Sequence, residues 1–203
     1  MRSFLIIFLA VLLYGVVHSI LASLRAKALS RQWVGPQADR WYRLLFNVFA
    51  FVSLVPILAL PVLLPNQPLY SVPAPWRFGM FVVQGLGLMM GAITLLQTDT
   101  MSFVGLRQLT HGFDALPHEK LVVSGFYRWV RHPLYTASLL FLWASPDMSF
   151  NLFALYLAFT VYFVVGAVYE ERKLETQFGE AYTSYKEKTP MLIPGLRWAR
   201  RKG

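Results

Sequence analysis

The chain contains no cysteine and is short of charge. Only 10 acidic side chains stand against 19 Lys and Arg in 203 residues, and charged residues make up 14% of the whole. Without cysteine there is no disulfide, no thiol nucleophile and no thiolate metal ligand. The four histidines, at positions 18, 111, 118 and 132, form no recognisable metal spacing. Ordinary soluble domains carry nearly twice this charged fraction. Here 56% of residues are hydrophobic and the mean hydropathy is +0.48. That balance excludes a soluble domain and implies an integral membrane protein.

The net charge of +9 raises the question of nucleic acid. The basic residues, however, fall in short connectors and in the tail Arg197, Arg200, Arg201 and Lys202, next to apolar runs. This is the pattern of cytoplasmic loops beside an anionic leaflet. No basic helix or basic-aromatic strand motif supports nucleic-acid binding.

Runs approaching the ~20 residues needed to cross hydrocarbon predict spans at 3–24, 44–65 and 77–97, a short one at 133–146, and a last one at 150–171. The first lacks a small-residue cleavage site followed by a soluble domain, so it is expected to be a retained helix. Arg25, Lys27, Arg31, Arg40 and Arg43 lie between spans one and two; Arg107, Lys120, Arg128 and Arg131 lie between three and four. The other connectors hold almost no basic residue, Arg77 excepted. Alternate basic loops place the amino terminus outside and the carboxyl terminus in the cytoplasm. The expected fold class is all-α: a polytopic membrane protein with five transmembrane helices, the last two forming a helical hairpin, plus an amphipathic C-terminal cytoplasmic segment. It forms one membrane-embedded domain over 1–203, with a cytoplasmic connector at 99–132 and a cytoplasmic tail at 172–203. Pro56 and Pro61 are expected to bend span two. Gly79, Gly85, Gly87 and Gly91 are spaced to let a neighbour approach span three, within the monomer or between chains.

Chemistry concentrates in the last eighty or so residues. In GFYRWVRHPLY, Gly125 to Tyr135, Pro133 suits the first turn of a helix and disfavours helical geometry at His132. A helix start flanked by Arg128, Arg131 and His132 is a site for a carboxylate or phosphate. The plainer reading makes the arginines positive-inside residues and His132 a cap. A shortened helix tends to border a cavity, which favours the first. Glu170 and Glu171 are placed at the inner end of the last span, where the helix dipole and mutual repulsion oppose two carboxylates unless a cation meets them. Glu175 and Glu180 read as solvated. The tail is expected to form an amphipathic helix ending near Thr189, then an apolar lid around Met191, Leu192 and Ile193. Interfacial anchoring accounts for Tyr182 and Trp198.

Taken together, RHPLY at 131–135 and EE at 170–171, followed by FGEAYTSY and PMLIP, resemble the isoprenylcysteine carboxyl methyltransferase-like superfamily, over about a third of the chain. DTMSFVGLRQL at 99–109, HSILAS at 18–23 and YRLLFNVF at 42–49 look like segments of its small bacterial members, which include methanethiol S-methyltransferases. The resemblance implies S-adenosylmethionine as cofactor, bound at the cytoplasmic end of the last helices and closed in by the tail. It implies cofactor contacts from Gly125, Arg131, His132, Pro133, Tyr135, Glu171, Tyr185 and Pro194, and catalytic candidates Arg131, His132, Glu170 and Glu171. The methyl acceptor is expected to be a small thiol or a lipid-like molecule, and the location a bacterial inner membrane. A neutral acceptor must lose a proton, to His132, Glu170 or Glu171. A carboxylate acceptor needs no base and would gain from Arg107 or Arg131. His18, Asn47, Asp99, Arg107 and Gln108 are candidates to line the acceptor site, or to form interhelical hydrogen bonds. Two alternatives stand beside this reading: an NADPH-dependent membrane reductase, whose arginine, double-glutamate and terminal-proline pattern is broadly similar, and a non-enzymatic accessory membrane protein.

Overall fold

The computed structural model describes residues 1–98, 106 and 121–196, with backbone alone at 39 and 40. Asp99, Arg107, Gln108, His111, His118 and Trp198 lie outside the described residues. Helices α1 (Arg2–Ala22), α2 (Leu24–Val34), α3 (Ala38–Leu63), α4 (Trp76–Gln97), α5 (Pro133–Trp143), α6 (Phe150–Phe178) and α7 (Glu180–Lys188) account for most of the chain. Strand β1 (Pro68–Ser71) pairs with β2 (Asp147–Ser149). Four helices are long and apolar enough to cross a membrane: α1, α3 over Trp41–Leu63, α4 and α6. Their outward faces are apolar. On α1, Leu9 and Leu13 are exposed while Ile7 and Val11 are fully buried, the arrangement expected where lipid replaces water. The expected fourth span is α5, whose eleven residues extend only about 16 Å.

The chain divides into two compact units. One holds the described residues of 1–69, residue 106 and 148–162, the other those of 70–98, 121–147 and 163–196. In the first, Ser23 breaks α1 from α2 and caps the new helix, its Oγ accepting from Ala26 N at 3.2 Å. The basic connector is thus partly helical. His18 meets the hydroxyl of Tyr162 through Nδ1 at 2.8 Å and packs against Phe46, the interhelical role open to it from sequence. Pro56 and Pro61 both lie within α3. The buried Asn151 amide donates to Pro61 O, Leu64 O and Pro65 O, satisfying carbonyls where α3 ends. Asn151→Ala strands those carbonyls, and a thermal midpoint in detergent should register a loss of about 1–3 kcal/mol.

In the second unit α5 runs antiparallel to α4. Gly91 faces Leu134 and Ala137, and Gly87 faces Ala137 and Phe141. Gln84 donates to Phe141 O at 3.0 Å, and Arg77 pairs with Asp147 at 2.6 Å. Alpha carbons can approach because Gly87 has no side chain: a Cβ there would lie 3.0 Å from Ala137 O and 3.1 Å from Phe141 N. Gly79 and Gly85 have no such neighbour within 4 Å. From Gly91 to Arg77 is fourteen positions of helix, so α5 and the residues after it accompany α4 for about 21 Å. Arg77, the basic exception among these connectors, is answered locally by Asp147.

Helix α6 continues seven residues past the expected end at 171. Arg172, Lys173, Leu174 and Glu175 are all good helix formers, so the helix runs on beyond its apolar stretch. The stop is Gly179, with φ 54° and its N–H on Glu175 O at 2.9 Å. Glu170 and Glu171 therefore lie two turns before the helix end, beyond the reach of its dipole. Contrary to the expectation from sequence, the helix dipole does not oppose the two carboxylates there.

Candidate functional site

Segments distant in sequence converge in the second unit around one carboxylate. Glu171 is buried, at 4% exposure. Its Oε1 accepts from Arg131 Nε at 2.6 Å and lies 2.6 Å from Arg131 Nη2; its Oε2 lies 2.8 Å from Lys186 Nζ. Lys186 also meets Glu175 Oε1 at 2.8 Å, so Glu175 belongs to the network rather than to solvent. Arg131 donates its remaining Nη1 to Lys186 O at 3.0 Å and to Thr189 O, carbonyls of the last turn and cap of α7. A guanidinium at a helix carboxyl end complements its dipole. One arginine thus fastens the tail helix to α6 through Glu171.

Backbone bonds complete the attachment. Arg131 N donates to Pro190 O at 2.9 Å and His132 N to Met191 O at 3.1 Å. Thr136 Oγ1 donates to Leu192 O at 2.7 Å, and Tyr185 OH to Tyr127 O at 2.5 Å. The expected apolar lid is docked along the RHP segment.

His132 caps α5 with φ −122° and ψ 68°, and Pro133 takes the first helical position. Its ring is buried and stacks on Tyr135 at 5.4 Å, which stacks on Phe163 at 5.3 Å. Tyr135 OH donates to Glu170 Oε2 at 3.1 Å. His132 Nδ1 lies 3.5 Å from Glu170 Oε2, and Nε2 lies 3.4 Å from Glu171 Oε1, out of line for a hydrogen bond. Glu170 is the accessible member of the acidic pair, its side chain 47% exposed.

Of the residues expected to act together, Arg131, His132, Tyr135, Glu170 and Glu171 form this cluster directly, Pro133 sets its helix start, and Tyr185 ties in the tail. Gly125 has φ 60°, and a Cβ there would meet the end of the Gln97 side chain, so it is the backbone conformation that calls for glycine. Pro194 is exposed, two residues beyond the docked Leu192. Sequence reasoning missed Lys186 and Gln97, and misplaced Tyr182. Tyr182 is 1% exposed, which removes it from the interfacial anchors; its ring packs edge-on to Tyr185 at 5.9 Å. A separate cavity of about 730 Å³ in the first unit is lined by Arg2, Phe4, Asn66, Phe150 and Asn151, among others. It brings together no set of titratable groups, and the chemistry is assigned to the cluster.

Burial alone would lower the His132 pKa, but the negative charges of Glu170 and Glu171 facing its two ring nitrogens outweigh it and raise it. A pKa raised by folding stabilises fully below the ordinary value near 6.5 and ceases to do so as pH climbs through the folded value. The thermal advantage of the wild type over His132→Asn is therefore expected to be greatest near about pH 6 and to shrink as the pH is raised. Burial is also the first cause of raised pKa values at Tyr127, Tyr182 and Tyr185, which stay protonated donors at neutral pH.

Residues 78–181, just over half of the chain, match the family model of phospholipid methyltransferases. Curated relatives point the same way. A Methanethiol S-methyltransferase of a Pseudomonas species is 33% identical over 132 residues, 63% of this chain and 50% of its own. Methanethiol S-methyltransferase 2 of Bradyrhizobium diazoefficiens is 28% identical over 210 aligned residues, 99% of this chain and 76% of its own. A Methanethiol S-methyltransferase of Mycobacterium tuberculosis is 25% identical over 186 residues, 89% of this chain and 74% of its own. The chain spans about half the length of the two Pseudomonas relatives it matches. No solved structure matches it significantly. With the family model covering nearly all of α4, the RHP segment, the acidic pair and the start of the tail helix, this integral membrane protein belongs to the phospholipid methyltransferase family.

Proposed function

We propose that this protein is an S-adenosylmethionine-dependent methyltransferase whose acceptor is a small thiol. The observation that carries the reading is the convergence of the RHP segment, the double glutamate and the tail on one buried carboxylate. The names of the curated relatives favour a thiol acceptor. The family description favours a second reading, a lipid-like acceptor of phospholipid type.

The topology that goes with it has five passages, with α5 and the residues after it forming the fourth. Its support is the antiparallel course of α5 along α4, from Gly91 to the Arg77–Asp147 pair. The cluster then lies at the cytoplasmic boundary of an inner membrane, the amino terminus outside. Glu171 is about 32 Å along α6 from Phe150, close to the thickness of the hydrocarbon.

The residues present fit the methyl donor. His132 Nε2 and the Tyr182 hydroxyl are buried polar atoms without a hydrogen-bond partner among the described residues, so the cluster retains donor capacity. When bound, S-adenosylmethionine supplies an electrophilic methyl group on a sulfonium. Glu171 is committed to Arg131 and Lys186, so its role is to position the RHP segment and tail. Glu170, more exposed and oriented by Tyr135, is the carboxylate available to a cationic amine or to an acceptor proton. Both nitrogens of His132 face carboxylates, which suits a donor better than a base. Stacked Tyr135 and Phe163, with the docked Met191–Leu192 segment, exclude water from the displacement.

The assignment is tested with detergent-purified protein, labelled S-adenosylmethionine and methanethiol. Labelled dimethyl sulfide is the expected product. Label appearing only in phospholipid would establish the second reading, and label in neither acceptor, with folded protein, would count against methyl transfer to both.

A further inference from the structure

The tail helix holds one polar atom that the cluster does not use. The Tyr182 hydroxyl is buried, the whole residue being 1% exposed, and has no hydrogen-bond partner among the described residues. Its neighbour Tyr185 differs: that hydroxyl reaches Tyr127 O at 2.5 Å and fastens the tail. Tyr182 packs against Tyr185 edge-on and lies within the field of Glu171, Glu170 and Arg131. A buried phenol left without a partner costs about 1–3 kcal/mol relative to one that is hydrogen-bonded, and native interiors seldom accept that cost without use. Phenylalanine would fill the same space without it.

The second orphan, His132 Nε2, lies 3.4 Å from Glu171. Two unspent polar atoms therefore belong to the cluster, one at the start of α5 beside Glu171 and one on α7 within the field of the same carboxylate. Neither is needed to hold the fold, since Arg131, Lys186, Tyr185 and the backbone of Pro190–Leu192 already do so.

We propose that the Tyr182 hydroxyl is a binding group for the methyl donor, donating a hydrogen bond to an acceptor oxygen or nitrogen of S-adenosylmethionine. The inference rests on the proposed function and deepens it. The tail then does two separate jobs: Tyr185 closes it on the protein, and Tyr182 makes the closed form recognise the ligand. Burial keeps the phenol protonated through the neutral range, as a donor requires.

The test compares wild type with Tyr182→Phe in calorimetric titrations of S-adenosylmethionine, alongside thermal midpoints of the unliganded proteins. The expected result is affinity weakened about tenfold, one hydrogen bond's worth, with an unliganded midpoint unchanged or raised. Tyr185→Phe should behave oppositely, lowering the unliganded midpoint through loss of its bond to Tyr127 O. Equal affinity in wild type and Tyr182→Phe would overturn the inference and leave the methyltransferase reading intact. A Tyr182→Phe midpoint lowered as much as that of Tyr185→Phe would also overturn it, because the hydroxyl would then serve the fold. Wild-type protein that is folded yet fails to bind S-adenosylmethionine would overturn both.

Discussion

Replacing Glu171 by alanine will cost about 3–5 kcal/mol, because it strands the buried Arg131 guanidinium and deprives Lys186 of one of its two carboxylates. The loss will not be spread evenly. Arg131 bridges α6 to the carbonyls of Lys186 and Thr189, so the tail from Gly179 onward should loosen first. Limited proteolysis should show early cleavage within 180–196 while the membrane helices remain protected. Arg131→Ala should act in the same way, and the double variant should cost much less than the sum, as groups in direct contact do. Additive costs, or a tail as resistant as in wild type, would contradict the account of Glu171 as the anchoring carboxylate.

The second large effect is expected far from any charge. Gly87→Leu must force a side chain between α4 and α5, where the nearest atoms are backbone, Ala137 O and Phe141 N, that cannot rotate away. Overpacking of this kind costs about 1–3 kcal/mol, occasionally more. Displacing α5 also moves His132 and Tyr135, so donor affinity should fall with stability. Gly79→Leu on the same helix is the control: nothing lies within 4 Å of its Cβ, and the side chain would enter open space. Equal thermal midpoints for the two variants would refute the close α4–α5 contact.

The membrane helices were legible because bilayer solvation demands long apolar runs with internally satisfied backbone. Four of the five expected spans correspond to helices of full crossing length, with α4 displaced by a single residue at its start. Errors arose where hydrophobicity stops carrying information. Helix α6 outlasts its apolar stretch because Glu, Arg, Lys and Gln extend a helix in water, and only Gly179 ends it. Helix α2 hid inside a basic connector, since Arg25, Lys27 and Arg31 read as loop charges. At the site, RHPLY and the acidic pair were visible as motifs. Their partners were not. Lys186 reads from sequence as one cation among several in a tail with both signs of charge. Its spacing from Glu171, across a glycine break and a new helix, follows no helical period. Gln97 is marked only by being the last residue of its span, opposite a glycine that could not be seen to face it. Tyr182 and Tyr185 share the amphipathic spacing of any interfacial helix, and only packing assigns one to burial and the other to a carbonyl.

The most direct test of the central claim, that the Glu171-centred cluster binds a methyl donor, is calorimetric titration of S-adenosylmethionine and, separately, NADPH into folded wild-type protein and into the anchoring variant Glu171→Gln. The account predicts saturable binding of S-adenosylmethionine by wild type, weakened in the variant, and no binding of NADPH. Binding of NADPH alone, or of neither by well-folded protein, would contradict it.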